Sequence, residues 1–400
     1  MDTARQRAAT NALADGPVGG VGLELEQHVI DLDVPGRRPA WERIAAAVEQ
    51  LPRLPGESRV TLEPGGQLEL SGPPLPDAAA AAQALLRDEA VVRACLHTHR
   101  LGLACIGADP LRSPRRLNPA PRYVAMEEHW AARGTPEAGA AMMCSTASVQ
   151  VNLDAGPRSG WRQRVARAHR LGPVLVALSA CSPLLAGQAD GWRSQRQRVW
   201  GALDPLRCGP VPGAGDPAEE WADYALCAPV MLVGTGADAS AVRTCVPFRA
   251  WAAGEVVLNG RPPTAADLDY HLTTLFPPVR LRGFLELRYL DAVPRTWWPS
   301  LVRLVAALLD DPAAGDAADE ACEPVADQWG AAAREGLAHP AMARAAARCL
   351  DAAAGVVDDE DLDLWRALVE ARRNLSDLML ERARTLGLER YLEEECRDER

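Results

Sequence analysis

The sequence predicts an α+β fold, a largely antiparallel sheet funnel backed by helices, with a helical C-terminal region. Three observations carry this expectation. Segments with period-2 alternation recur at 21–32, 60–70, 142–154 and 280–291, separated by stretches patterned for helix. Each is apolar on one face and polar on the other, whereas strands of a parallel sheet covered by helices read as apolar on both faces. From Trp297 onward the chain is almost entirely helical in pattern. With no internal repeat and no sharp composition shift before about residue 310, residues 18–310 read as one unit and 311–400 as a helical region packed on it.

In order along the chain, VGLELEQHVIDL (21–32) places Val21, Leu23 and Leu25 on one face and Glu24 and Glu26 on the other. WERIAAAVEQL reads as a helix. In TLEPGGQLELSGPP (61–74) the Pro64-Gly65-Gly66 run predicts a three-residue hairpin loop. Glu63 then pairs with Gln67, and Glu69 lies opposite Thr61. Val60, Leu62, Leu68 and Leu70 make the other, apolar face. The stretch 76–102 predicts a helix ending at Gly102, followed by LACIGADP as a short buried strand. PRYVAMEEHWAARG predicts a helix, and MMCSTASVQVNLD (142–154) a strand with Gln150, Asn152 and Asp154 on its polar face. GWRQRVARAHRLGPVLVALSACSP predicts a helix broken at Gly172-Pro173, and SQRQRVWGALDPLRCGP an irregular arginine-rich stretch. Thr264 opens a capping box for the helix ADLDYHLTTLF. RLRGFLELRYLD (280–291) reads as one strand with Phe284, Glu286 and Arg288 on one face.

Composition narrows the function. The chain of 400 residues is 48% hydrophobic and carries a formal net charge of −11, which disfavours nucleic acid or an anionic membrane as partner and leaves small molecules. There is no lysine, so all 43 basic residues are arginines. That excludes a lysine Schiff base, a lysine nucleophile and a GxxxxGK[ST] phosphate loop. The first residues lack the apolar core of a secretory signal and no stretch approaches a membrane span, so a cytoplasmic location is expected. The ten cysteines form no CxxC pair and read as ordinary thiols, Cys144 among them. His97 and His99, two apart on a helix, do not face one another. GTGAD (234–238) lacks the third glycine of a dinucleotide fingerprint and reads as a loop, and Trp297-Trp298 reads as core packing.

The polar faces are where chemistry gathers. Glu24, Glu26, Glu63, Glu69 and Glu286 on one sheet face would repel each other unless hard cations neutralise them, and an all-oxygen set selects Mg²⁺ or Mn²⁺. Arg196 and Arg198 of SQRQR offer guanidiniums to a polyphosphate.

VGLELEQHV, TLEPGGQLELSG, PRYVAM, MMCSTASVQVNLD, SQRQRVW and HLTTLFPPVRLRGFLELR, in this order, resemble the motifs of the plant-type and bacterial glutamate-cysteine ligases, most closely the actinobacterial form that serves ergothioneine synthesis. The resemblance spans roughly residues 18–310. It implies a funnel similar to the catalytic domain of glutamine synthetase, and ATP-dependent joining of the L-glutamate γ-carboxylate to the amine of L-cysteine through γ-glutamyl phosphate. It also implies that Glu24, Glu26, Glu63, Glu69 and Glu286 coordinate magnesium and that Arg122, Arg196, Arg198 and Arg288 bind substrate carboxylate or phosphate. Gln150 stands where related bacterial ligases have a histidine, as a metal or nucleotide contact. A ligase using another amine, or a metal-binding scaffold without turnover, are the alternatives.

Overall fold

The computed structural model describes residues 2–211, 213, 215–234 and 238–397. Among these the strands are β1 (Val21–Asp31), β2 (Arg59–Leu62), β3 (Leu68–Ser71), β4 (Leu101–Ala104), β5 (Ser148–Asp154), β6 (Leu232–Val233), β7 (Ser240–Ala241), β8 (Val279–Leu281) and β9 (Phe284–Asp291). The main sheet runs β2-β3-β1-β5-β9-β8, every pairing antiparallel, with β4 added alongside the last third of β1; β6 and β7 pair separately. The α+β class and the antiparallel sheet are therefore as the alternation predicted.

One face of the sheet is dry. Leu23, Leu25, Leu68, Leu70, Val149, Val151, Leu285 and Leu287 are buried there, each contributing on the order of 1.5–3 kcal/mol by leaving water. They join one core with the helices Ala78–Thr98, Gly172–Ser179 and Trp298–Asp310, and this core continues through the C-terminal helices as far as Leu392. Trp298 is buried and Trp297 meets Trp365 edge to face, so the tryptophan pair packs the core. The other face opens into the funnel, roofed by the helices Pro121–Ala132, Pro136–Ser145 and Gln195–Gly201.

The hairpin at 61–74 forms as its turn residues dictate. Gly66 N donates to Glu63 O at 2.9 Å and Glu63 N to Gln67 O at 2.8 Å, closing a three-residue loop. Gly66 sits at φ +82°, the left-handed position this loop requires. Thr61 lies opposite Glu69. The capping box at Thr264 and the helix break at Gly172 are also present.

Four elements differ from expectation. The helix from 76 stops at Thr98, because Arg100 turns left-handed (φ +57°) and Leu101–Ala104 is drawn into pairing with β1, so Gly102 lies in a strand. Met142–Ser145 belong to a helix that precedes β5. The stretch 280–291 is a hairpin, β8 and β9, turning at Gly283 (φ +83°). The SQRQR run is a helix, Gln195–Gly201, whose N-cap Ser194 accepts a hydrogen bond from Gln197 N. His97 is exposed at its helix end. The loop GTGAD falls largely outside the described residues, at 235–237.

Candidate active site

The funnel holds a cleft of about 350 Å³ whose two walls carry opposite charge. The acidic wall is built by β1, β2 and β3. Period-2 geometry turns Glu24 and Glu26 of β1 to the same side, and the hairpin register sets Glu69 directly across from Glu26. Like charges in that position destabilise a sheet, so this wall costs stability in the bare protein. Glu63, at the mouth of the hairpin loop, completes it.

Three of the four carboxylates accept hydrogen bonds from neutral donors. Glu26 accepts from Ser148 N (2.8 Å), Ser148 Oγ (2.9 Å) and Gln150 Nε2 (3.2 Å). Glu69 accepts from Thr61 Oγ1 (2.9 Å) and Ser71 Oγ (2.8 Å), and Glu24 from Asn152 Nδ2 (3.3 Å). Burial pushes all four glutamates above the ordinary carboxylate range, and neighbouring carboxylates push further: Glu286 and Glu69 on Glu24, Glu24 on Glu26, Glu69 and Glu26 on Glu63, and Glu26 on Glu69.

The arginine wall comes from β8, β9 and the Gln195–Gly201 helix. Burial would raise Glu286 too, but Arg280 and Arg288 outweigh it and hold its carboxyl down at about 2. Arg280 grips it in a fork, Nη2 at 2.7 Å from Oε1 and Nε on Oε2, while Arg288 Nη1 reaches Oε1 at 2.8 Å. The same Nη1 donates to Gln150 Oε1 at 2.6 Å. Gln150 thus donates to Glu26 and accepts from Arg288, tying the two walls together through a neutral amide.

A register shift between β5 and β9 leaves an extra β9 residue opposite Gln150. Such irregularities re-aim side chains and free backbone groups. Arg288 O accepts from Arg196 Nη2 at 2.6 Å and Tyr289 O from Gln197 Nε2 at 2.7 Å, which docks the helix against the strand. Arg196 is only 2% exposed, and its Nε and Nη1 have no hydrogen-bond partner among the described residues. Burial lowers the Arg196 guanidinium's affinity for its proton, against the pull of Asp291 and Glu26.

The structure brings Glu24, Glu26, Glu63, Glu69, Arg122, Gln150, Arg196 and Arg288 to the lining of one cleft, with Glu286 behind them in its arginine clamp. Arg122 lies toward the rim, over the Tyr270 ring and hydrogen-bonded to Thr273. Arg198 is not among them. Two residues along a helix turn a side chain by roughly 200°, and Arg198 instead lines a neighbouring apolar cleft, where it is half exposed and pairs with Asp190. Arg280 was missed from sequence because its partner lies across a turn that the pattern did not reveal. The Cys144 thiol is buried and pushed up to about 12 by that burial, an inert core group.

The donor set toward a cation is all oxygen and self-repelling, which fits Mg²⁺. As placed, no three His, Cys, Asp or Glu side chains among the described residues gather closely enough to hold a metal ion. Mg²⁺ needs only one or two carboxylates where phosphate oxygens and water complete its octahedron, so a site finished by a polyphosphate remains compatible with this wall.

Beside the cleft lies a second, mainly apolar one of about 430 Å³, flanked by Trp192, Pro205, Pro210 and Trp329. Arg196, Trp200, Phe276 and Arg288 belong to both.

An acidic wall facing buried arginines across one cleft has the donor types that suit a polyanion carried with hard cations. The profile of glutamate-cysteine ligase family 2 matches residues 20–386, and the chain belongs to this family. It is 54% identical over 394 residues to the glutamate-cysteine ligase EgtA of Mycolicibacterium smegmatis, covering 96% of this chain and 93% of that protein. Identity to EgtA of Mycobacterium tuberculosis is 53% over 371 residues, 92% of this chain and 86% of the relative. The chloroplastic glutamate-cysteine ligase of Arabidopsis thaliana is 33% identical over 281 residues, 68% of this chain and 53% of the relative. In fold the chain is similar to the glutamate-cysteine ligase of Francisella tularensis, solved in complex with AMP, with a TM-score of 0.59 at 12% identity over 96% of this chain and 88% of that one. The family match runs on through the C-terminal helices, beyond the stretch spanned by the sequence motifs. No helix among the described residues is long and apolar enough to cross a membrane.

Proposed function

We propose that the chain joins the γ-carboxylate of L-glutamate to the amine of L-cysteine, converting ATP to ADP and phosphate and yielding γ-glutamylcysteine for ergothioneine synthesis. The observation that carries this reading, within a family of glutamate-cysteine ligases, is the pairing of four mutually repelling carboxylates with a buried arginine whose Nε and Nη1 are unbonded. A carboxylate is a poor electrophile, so the amide bond requires its activation as an acyl phosphate. Bringing that carboxylate up to the γ-phosphate gathers negative charge, which Arg196 and Arg288 stabilise from fixed positions. Glu286, clamped by Arg280, keeps Arg288 charged and aimed. Arg122 at the rim orients a substrate carboxylate, and the apolar cleft beyond Arg196 takes the nucleotide base. Glu24, Glu26, Glu63 and Glu69 would hold Mg²⁺, or Mn²⁺, whereas Glu286, expected among the ligands from sequence, is engaged by Arg280 and Arg288; the ion would supply positive charge to the phosphates. Catalysis rests in residues 18–310, with 311–400 packed on them. No side-chain nucleophile is required.

The test supplies glutamate labelled with ¹⁸O in its γ-carboxylate, ATP and cysteine, and repeats the ADP assay with other amino acids in place of cysteine. One labelled oxygen should appear in inorganic phosphate, with ADP as the nucleotide product and cysteine as the best acceptor. Release of AMP and pyrophosphate, or label in AMP, would refute an acyl-phosphate mechanism.

A further inference from the structure

At the N-terminal end of the Gln195–Gly201 helix, β9 ends in Asp291, which pairs with Ser148 of β5 and is 1% exposed. No ion pair within contact distance joins it to an arginine among the described residues; the charge of Arg196 favours its ionised form from farther off, against the cost of burial. Its oxygens are met by three donors: Ser182 Oγ at 2.6 Å, Ser194 Oγ at 2.8 Å and Cys181 N at 3.0 Å. Room for the carboxylate exists because residue 107 is glycine; a Cβ there would come within 2.6 Å of Asp291 Cγ.

Each serine hydroxyl has one proton and two lone pairs, and Asp291 takes the proton of both. Their oxygens therefore face the start of the helix as acceptors. Ser182 Oγ receives Arg196 N at 3.2 Å, and Ser194 Oγ receives Gln197 N at 3.1 Å. The backbone of Arg196 is fixed from one side by this relay, while its Nη2 is fixed from the other by Arg288 O at 2.6 Å. Only Nε and Nη1 are left to meet a ligand.

We infer that Asp291 is a positioning residue for the ligase reaction: acting through Ser182 and Ser194, it sets the direction of the hydroxyl protons that seat Arg196 at the cleft. This rests on Arg196 binding a reacting anion, as in the function proposed above. Replacement by Asn keeps size and shape but offers an NH₂ group to one serine. That hydroxyl then accepts twice or turns away from the helix, and its own proton is left without an acceptor.

The experiment is a double-mutant cycle read as kcat/KM for ATP at saturating glutamate, cysteine and Mg²⁺, with the wild type, Asp291→Asn, Arg196→Ala and the double variant. Asp291→Asn should lower kcat/KM about tenfold in the wild-type background and less than twofold when Arg196 is already Ala, because the residue works through that guanidinium. A general loosening of the fold would cost the same in both backgrounds. Equal losses, or no loss from Asp291→Asn, would overturn the inference while leaving the reading of Arg196 intact. If Arg196→Ala alone changes nothing, the reading of Arg196 fails and takes the inference with it. Should Asp291→Asn not fold, Ser182→Ala, which removes one of the two relays and leaves the carboxylate with Ser194 and Cys181, enters the same cycle with the same expected outcomes.

Discussion

The two walls of the cleft hold comparable amounts of charge and treat it in opposite ways. On the acidic wall Glu26 and Glu69 face each other across a strand pair with neutral donors around them, and burial together with mutual repulsion raises every carboxyl. On the arginine wall Glu286 is surrounded by guanidiniums and its carboxyl is held at about 2. One wall is in conflict until something positive arrives; the other is already settled except for two nitrogens of Arg196 and Nε of Arg288. Stored conflict of this kind marks where ligands bind, since a group satisfied by the protein has little left to offer.

Stability should therefore respond with opposite sign on the two walls. Glu286→Gln leaves Arg280 and Arg288 buried without their counter-charge, and is expected to lose about 3 kcal/mol of stability along with activity. Denaturant unfolding measures it, and a loss below about 1 kcal/mol would mean that the clamp is not what holds this wall. Glu69→Gln should cost roughly 100-fold in kcat, yet in metal-free buffer its melting temperature should equal or exceed that of the wild type, because a repulsion is removed. A marked drop in melting temperature would show that the acidic wall is structural. A smaller effect separates neighbours on one helix. Arg196→Ala should reduce kcat/KM for ATP about tenfold, or about 1.4 kcal/mol, whereas replacing Arg198, which lines only the apolar cleft and whose charge is already paired with Asp190, by Ala should stay within about twofold.

A last expected effect, spread over two pH units, concerns acid. Protonation relieves the acidic wall, and the stability contributed by Glu286, whose carboxyl is held at about 2, is lost only as pH falls below the ordinary carboxylate value near 4.5, so neither wall explains a loss that begins between pH 6.5 and 4.5. His271 does contribute to one. It is 2% exposed, its Nε2–H donates to Ala225 O at 2.9 Å, and burial, aided by Arg207, lowers its pKa to about 3. A histidine kept neutral in the native state contributes stability that is complete above its ordinary value near 6.5 and is lost as pH falls toward the folded value, where only the unfolded chain takes up the proton. His271→Asn should make the slope of stability against pH less steep than the wild type's by about 1.4 kcal/mol per pH unit between pH 6 and 4. Parallel slopes for the two proteins would show that His271 is not the group being protonated.

The acidic wall was nearly complete in the sequence because it depends on local rules: period 2 in β1, and a turn of known length between Glu63 and Glu69. The arginine wall was half visible. Arg280 meets Glu286 only because the chain turns at Gly283, and an alternating pattern continues through that turn without interruption. The SQRQ run did contain its helix signal, a serine followed three residues later by glutamine, but the density of arginine suggested a loop. Met142–Ser145 showed alternation by coincidence of side-chain types while the backbone stayed helical to Ser145. Asp291 appeared as the last residue of a strand, since its serine partners lie 109 and 97 positions away.

The loop that delivers Arg196 has a second tether. Arg193 N and Ser194 N both donate to Ala333 O, at 3.0 and 2.9 Å, and Ser376 N and Oγ donate to Ala180 O at 3.1 and 3.0 Å. The strands of the acidic wall all lie between residues 21 and 154, whereas the seat of Arg196 draws on carbonyl and hydroxyl partners more than a hundred residues farther along the chain. The anion-gripping half of the cleft is thus anchored from the last quarter of the sequence, and the cation-attracting half from its earlier part.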